Sequence, residues 1–128
     1  MNRRVGEIVG GSGALAVLLE KWKEAFNGHR VRDIVGLFAD DALFQGLSPR
    51  LLTGRDEITT YYENVPAGMK ATVEPLQTRT LDAEAVSGFA TVVFTDAAGV
   101  ALPVRLSVVA QHLGDDGWRI RQYHVSKL

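Results

Sequence analysis

The residues best placed to do chemistry sit at the end of the chain. After the turn Gly114-Asp115-Asp116-Gly117, the run Trp118 to Ser126 alternates as a strand does. Alternation puts Trp118, Ile120, Gln122 and His124 on one face and Arg119, Arg121, Tyr123 and Val125 on the other. The first face begins apolar and ends polar. That is the pattern of a strand whose base lies in a core and whose far end lines a cavity. His124 can carry a proton near neutral pH, and Gln122 can fix its tautomer or bind beside it. The plainer alternative is a structural histidine hydrogen-bonded to backbone or water. The strand points to where a ligand binds and leaves its identity open.

Other chemistries find less support. Asp40-Asp41 invites a metal or acid/base reading, but adjacent aspartates after a helix more simply make a helix end, a cap and a turn. His29 and His112 form no recognisable ligand spacing with them, so no metal site is expected. The run Gly10-Gly-Ser-Gly13 has no preceding strand and no lysine, so it is not a phosphate loop. No nucleophile elbow or dinucleotide fingerprint is present, and no cofactor is required. There is no cysteine, which excludes disulfides, thiolate zinc sites and a cysteine nucleophile.

The elements that must position these residues follow from periodicity. The 128 residues fit one domain, and 46% hydrophobic with 23% charged is ordinary for a globular chain. A net charge of -1 argues against a phosphate-backbone binder. Residues 1–12 read as a flexible or swapped arm, not as a signal peptide, because Glu7 and the glycines interrupt the apolar stretch. The apolar run Ala14 to Leu19 is far short of the roughly 18 residues of a membrane span. The expected compartment is the cytoplasm. From residue 13 to 128 one domain is expected. Leu15, Leu18, Leu19, Trp22 and Phe26 predict a helix over Ser12–Phe26, with Ser12 as N-cap. Val31 to Phe38 predicts a second, short helix, and Ala42 to Gln45 a short strand. Gly54 to Val65 predicts a third helix with Asp56 and Glu57 in its first turn. Four strand-like runs follow: Thr72–Thr80, Ala85–Thr95, Val100–Leu113 and Trp118–Ser126. Helices gathered on one face of such a sheet give an α+β fold.

The motifs Trp22 through Gly28, Leu37-Phe-Ala-Asp-Asp-Ala42, Thr53-Gly-Arg-Asp-Glu-Ile58 and Gly117-Trp-Arg-Ile…Tyr-His-Val-Ser126 carry a resemblance. Over about residues 13–128 the chain resembles the nuclear transport factor two-like superfamily, also called SnoaL-like or ketosteroid-isomerase-like. Its ending is most similar to the SgcJ/EcaC branch, and also resembles the association domain of calcium/calmodulin-dependent protein kinase. The resemblance implies a cone-shaped, curved antiparallel or mixed sheet wrapped around three N-terminal helices. It also implies an open pocket and pairing of sheets into dimers.

The catalytic residues of ketosteroid isomerase fall at Trp22, Gly46 and near Val109. Gly46 and Val109 cannot exchange a proton, so steroid-isomerase chemistry is rejected. On the same alignment Arg105, Ser107 and Val109 face the pocket, with Arg79 joining from the neighbouring strand. Leu102, Val104, Leu106 and Val108 then form an outer apolar row that a second subunit would cover. A register one residue away puts Arg105 on the surface instead. Trp22, Phe26, Phe44 and Tyr61 are the aromatic candidates for the lining, and one of Tyr61 and Tyr62 should offer a phenol.

These readings converge on a homodimer whose cone binds a small organic molecule bearing a carboxylate or carbonyl. As an enzyme it would be a cofactor-independent isomerase, cyclase or hydro-lyase, with His124 carrying the proton and Arg105 stabilising negative charge. Trp22, Phe44, Tyr61, Arg79, Ser107 and Gln122 would bind the ligand. The alternative is a non-catalytic ligand-sensing or oligomerisation module. Neither nucleic acid nor membrane is expected as a partner.

Overall fold

A computed structural model of the protein describes residues 10–128. The expected arm over 1–12 therefore lies largely outside the described residues. Helix α1 (Gly11–Asn27) carries the predicted stripe inward: Leu15, Leu18, Leu19, Trp22 and Phe26 are all buried. The helix starts one residue before Ser12, and Gly10 occupies the N-cap position. Gly11 lies so close to the next layer that an added Cβ would sit 2.9 Å from Val86 Cβ.

Helix α2 (Val31–Val35) is followed by strands β1 (Phe38–Gln45) and β2 (Leu52–Thr53), then by helix α3 (Gly54–Glu63). Strands β3 (Lys70–Asp82), β4 (Ala85–Thr95), β5 (Ala101–His112) and β6 (Trp118–Lys127) complete the chain. The six strands form one curved, unclosed sheet in the order β2-β1-β6-β5-β4-β3. The β1–β6 pair is parallel and the other neighbours are antiparallel. The α+β expectation with three helices against a mixed sheet is met.

Strand β1 begins at Phe38, four residues earlier than its alternation suggested. Asp40 and Asp41 lie inside it, where its register against β6 shifts between Phe38 and Leu43. They are therefore not a helix end and turn. Asp40 pairs with Arg55 at 2.9 Å, while Arg55 Nε and Nη2 both donate to the Phe38 carbonyl. Two of the motifs that carry the resemblance, one on β1 and one opening α3, are thus bonded to each other.

The core lies between the concave sheet face and the helices. Val86, Ala90 and Val92 from β4 meet Val104, Leu106, Val108 and Ala110 from β5, and Ile120, Tyr123 and Val125 from β6. Among the described residues no helix is long and apolar enough to cross a membrane.

Candidate functional site

The predicted parity of the last strand fails at one residue. Ala110 pairs with Ile120 and Val109 with Gln122, so Arg121 is an extra residue without a partner opposite. This is a β-bulge, and beyond it every side chain changes face. The bulge is held in place because Arg121 donates to Gln111 Oε1 at 2.8 Å and to Asp41 Oδ2 at 2.9 Å. Ile120 and Tyr123, three residues apart, both point inward, whereas Gln122 and His124 are exposed on the outer face.

The expectation for β5 is corrected in the same sense. Val104, Leu106 and Val108 are core residues, with exposures of 0%, 0% and 1%. Arg105, Ser107 and Val109 alternate with them and face outward. The apolar row is covered by this chain's own helices and is not a dimer surface. The outward register holds because burying an arginine costs far more than burying the leucine beside it.

Arg79, Arg105, Ser107, Gln122 and His124 do share one face, but it is the convex one. Across the strands Arg79 sits opposite Ser87, Ser107 lies between Phe89 and His124, and Arg105 lies between Thr91 and Ser126. The roles expected of His124 and Arg105 required both to point into the cone, and the geometry excludes that.

The cavity lies on the concave side, between α3, the loop before β2 and the β4–β5 turn. Its volume is about 770 Å³, and its lining is mainly apolar. That volume suits a small organic molecule. All three tyrosines of the chain line it: Tyr61 and Tyr62 from α3 and Tyr123 from β6. Only Tyr61 among the residues singled out as ligand-binding contributes directly. Phe26, an aromatic candidate, also lines the cavity. Phe44 lies behind the wall, stacked on Tyr123 at 4.5 Å with ring planes 5° apart. Trp22 also stands behind it, stacked on Phe26, and its indole Nε1 donates to the Tyr62 hydroxyl at 2.9 Å.

Tyr123 was missed as a site residue, and Tyr62 was named only as the alternative to Tyr61. The adjacent pair Tyr61-Tyr62 carried part of the signal, because one phenol was expected inside. Adjacent residues on a helix are about 100° apart, and the cavity edge is wide enough to admit both. Tyr123 was hidden by the bulge.

Burial pushes the Tyr62 and Tyr123 hydroxyls well above the usual phenol range. Burial also raises Tyr61, partly offset by the Leu47 backbone N–H donating to its oxygen at 3.3 Å. The three phenols are therefore neutral donors at physiological pH. The Tyr61 ring and hydroxyl fill the space that a side chain at position 46 would need, so Gly46 is required there.

Charge is confined to the rim. Arg50 and Glu57 have exposed side chains 4.0 Å apart, and Glu57 Oε1 also accepts the Thr53 N–H at 2.9 Å. Asp96, in the β4–β5 turn, accepts the Ala98 and Val100 N–H groups, each at 2.9 Å. One oxygen of each lining carboxylate thus accepts backbone N–H groups. Among the described residues no cluster of three or more histidine, aspartate or glutamate side chains is placed to hold a metal ion.

The architecture and the cavity behind its tyrosine wall define a class. The SnoaL-like domain model matches residues 15–128, and the chain belongs to that family. No curated protein matches the sequence.

Solved structures share the fold at low identity. A ketosteroid isomerase-like protein from Erwinia carotovora superposes with a TM-score of 0.78 at 17% identity, covering 91% of this chain and 95% of that one. A protein from Xanthomonas campestris, described as a calcium/calmodulin dependent protein kinase II association domain, gives 0.77 at 20%, covering 99% and 98%. A hexachlorocyclohexane dehydrochlorinase (LinA) gives 0.77 at 13%, covering 91% and 84%. An isomerase-like protein, an association domain and a dehydrochlorinase share this architecture, so the fold by itself carries no chemistry.

Proposed function

We propose that this chain binds a small, largely apolar organic molecule in its concave cavity. One observation carries the reading: a cavity of about 770 Å³ with an apolar, aromatic lining whose charges stand only at the rim. Its volume and composition match those of small-molecule sites. His124 and Arg105 stand outside the cavity. Acid/base isomerase, cyclase or hydro-lyase chemistry through those two residues is therefore not part of the reading. The ground for a carboxylate ligand was an arginine inside the cone, and it leaves with Arg105.

The test is equilibrium dialysis with naphthalene as probe. Saturable binding of one molecule per chain is expected, and Leu102→Trp, at the cavity wall, should abolish it. Binding that never saturates, or that Leu102→Trp leaves intact, overturns the reading.

A second element of the proposal concerns the convex face, which pairs two copies of the chain. Phe89 is 51% exposed at its centre, with Leu43 41% exposed nearer the β1 edge. Half-buried Val93 and Val109 share that face with Phe89 and add to the apolar surface a second copy would cover. The likeness to an association domain agrees with this reading.

A further inference from the structure

Resting on the cavity reading above, we infer that the ligand is neutral and presents an oxygen acceptor, a carbonyl above all, to the phenols of Tyr62 and Tyr123. The inference comes from counting donors at the cavity floor. Three hydrogen-bond donors converge there: the Trp22 indole N–H and the hydroxyls of Tyr62 and Tyr123. The indole N–H is spent on the Tyr62 oxygen at 2.9 Å. The Tyr62 and Tyr123 hydroxyls are neighbours, close enough for each to act on the other's ionisation. At most one of those two protons is spent in that contact, whichever phenol donates. At least one phenolic O–H is therefore left over. Both residues line the cavity, at 4% and 3% exposure, and among the described residues neither hydroxyl donates to a protein acceptor, so the spare proton is available to the cavity.

A buried donor without an acceptor is costly, so the floor selects a ligand that supplies one. A cationic headgroup cannot serve, because it brings donors only. A carboxylate is disfavoured because the lining's one cation, Arg50, stands at the exposed rim. An anion seated on the phenols would be desolvated among aromatic rings without a counter-charge. A neutral acceptor oxygen meets the spare proton without that penalty. The rest of the lining, including Phe26, Leu52, Phe94 and Leu102, accommodates an apolar ring system.

The experiment uses three bicyclic probes on the full chain: 1-tetralone, its hydrocarbon tetralin, and 1-naphthoate. Dissociation constants are measured for the wild type and for Tyr62→Phe, Tyr123→Phe and the double variant, each first shown to be folded. The ketone-over-hydrocarbon preference should fall by about 3–10-fold in the double variant, the equivalent of one neutral hydrogen bond. Naphthoate should bind more weakly than tetralone to the wild type. Independently of any variant, the carbonyl stretch of tetralone bound to the wild type should lie below its frequency in a hydrocarbon solvent. A hydrocarbon-like carbonyl frequency, an unchanged preference, or tightest binding by naphthoate overturns the inference while leaving the cavity reading in place. Failure of all three probes to bind overturns both.

Discussion

The two faces of the sheet divide the chemistry of this protein unevenly. The convex face carries Arg79, Arg105, Gln122 and His124, groups that a search for catalysts would choose first. The concave face carries Tyr123 and a wall of apolar side chains, and Tyr61 and Tyr62 of α3 close over it. Yet the cavity is on the concave face, and its polar atoms are neutral phenols. The difference teaches that residue type is a poor guide to a site when face is set by register. A single bulge at Arg121 moves His124 out and Tyr123 in.

The sharpest contrast between the faces should appear in stability. Trp22→Ala removes a fully buried indole that stacks on Phe26 and ties down Tyr62, and should cost about 3–5 kcal/mol in urea unfolding. Arg105→Ala and His124→Ala on the convex face should each change stability by roughly 0.5 kcal/mol or less in the isolated subunit. Equal costs on both faces would break the comparison.

Alkaline pH should separate the faces next. The folded pKa values of Tyr62 and Tyr123 lie well above the ordinary phenol value of 10.0. A group with a raised folded pKa contributes stability that is full below its unfolded pKa and is lost as pH rises beyond it. Each of these phenols should therefore lower stability by about 1.4 kcal/mol per pH unit above pH ~10. Phenolate absorbance should stay absent in the native protein beyond that pH and appear together with unfolding. Since all three tyrosines line the cavity, the signal reports on that face alone. Phenolates that titrate near pH ~10 without unfolding would show an open, wet floor.

A smaller effect is expected at Gly46. Gly46→Ala drives a methyl into the Tyr61 ring and should cost about 1–3 kcal/mol, with a lower melting temperature and a weakened Leu47–Tyr61 contact. On the convex face, Phe89→Asp should leave the subunit folded and convert a dimer to a monomer in light scattering. A wild type that is already monomeric would remove the pairing proposal.

Much of the fold was legible because it rests on long periodic segments. The α1 stripe Leu15, Leu18, Leu19, Trp22 and Phe26 names the buried face of that helix directly. The four strand-like runs map onto β3 to β6 with ends shifted by a few residues. What escaped depends on contacts between distant residues. The early start of β1 needs Arg55 to reach the Phe38 carbonyl and Asp40. The bulge needs Arg121 to find Gln111 and Asp41, and alternation within β6 has no record of either partner. The site inherited that error. Tyr61 was found because helix position alone placed it, whereas Tyr123 required the true register. On β5, the continuous row Leu102, Val104, Leu106 and Val108 was read against its own hydrophobicity, and simple burial would have assigned Arg105 to the surface.

The central claim is that ligand enters the concave cavity against the tyrosines and leaves the convex residues untouched. Its most direct test is an NMR titration of tyrosine- and histidine-labelled protein with 1-tetralone. The account predicts saturating shifts in the ring signals of Tyr62 and Tyr123, with Tyr61 affected at the mouth and His124 unmoved. Shifts centred on His124, with the tyrosine rings silent, would contradict it.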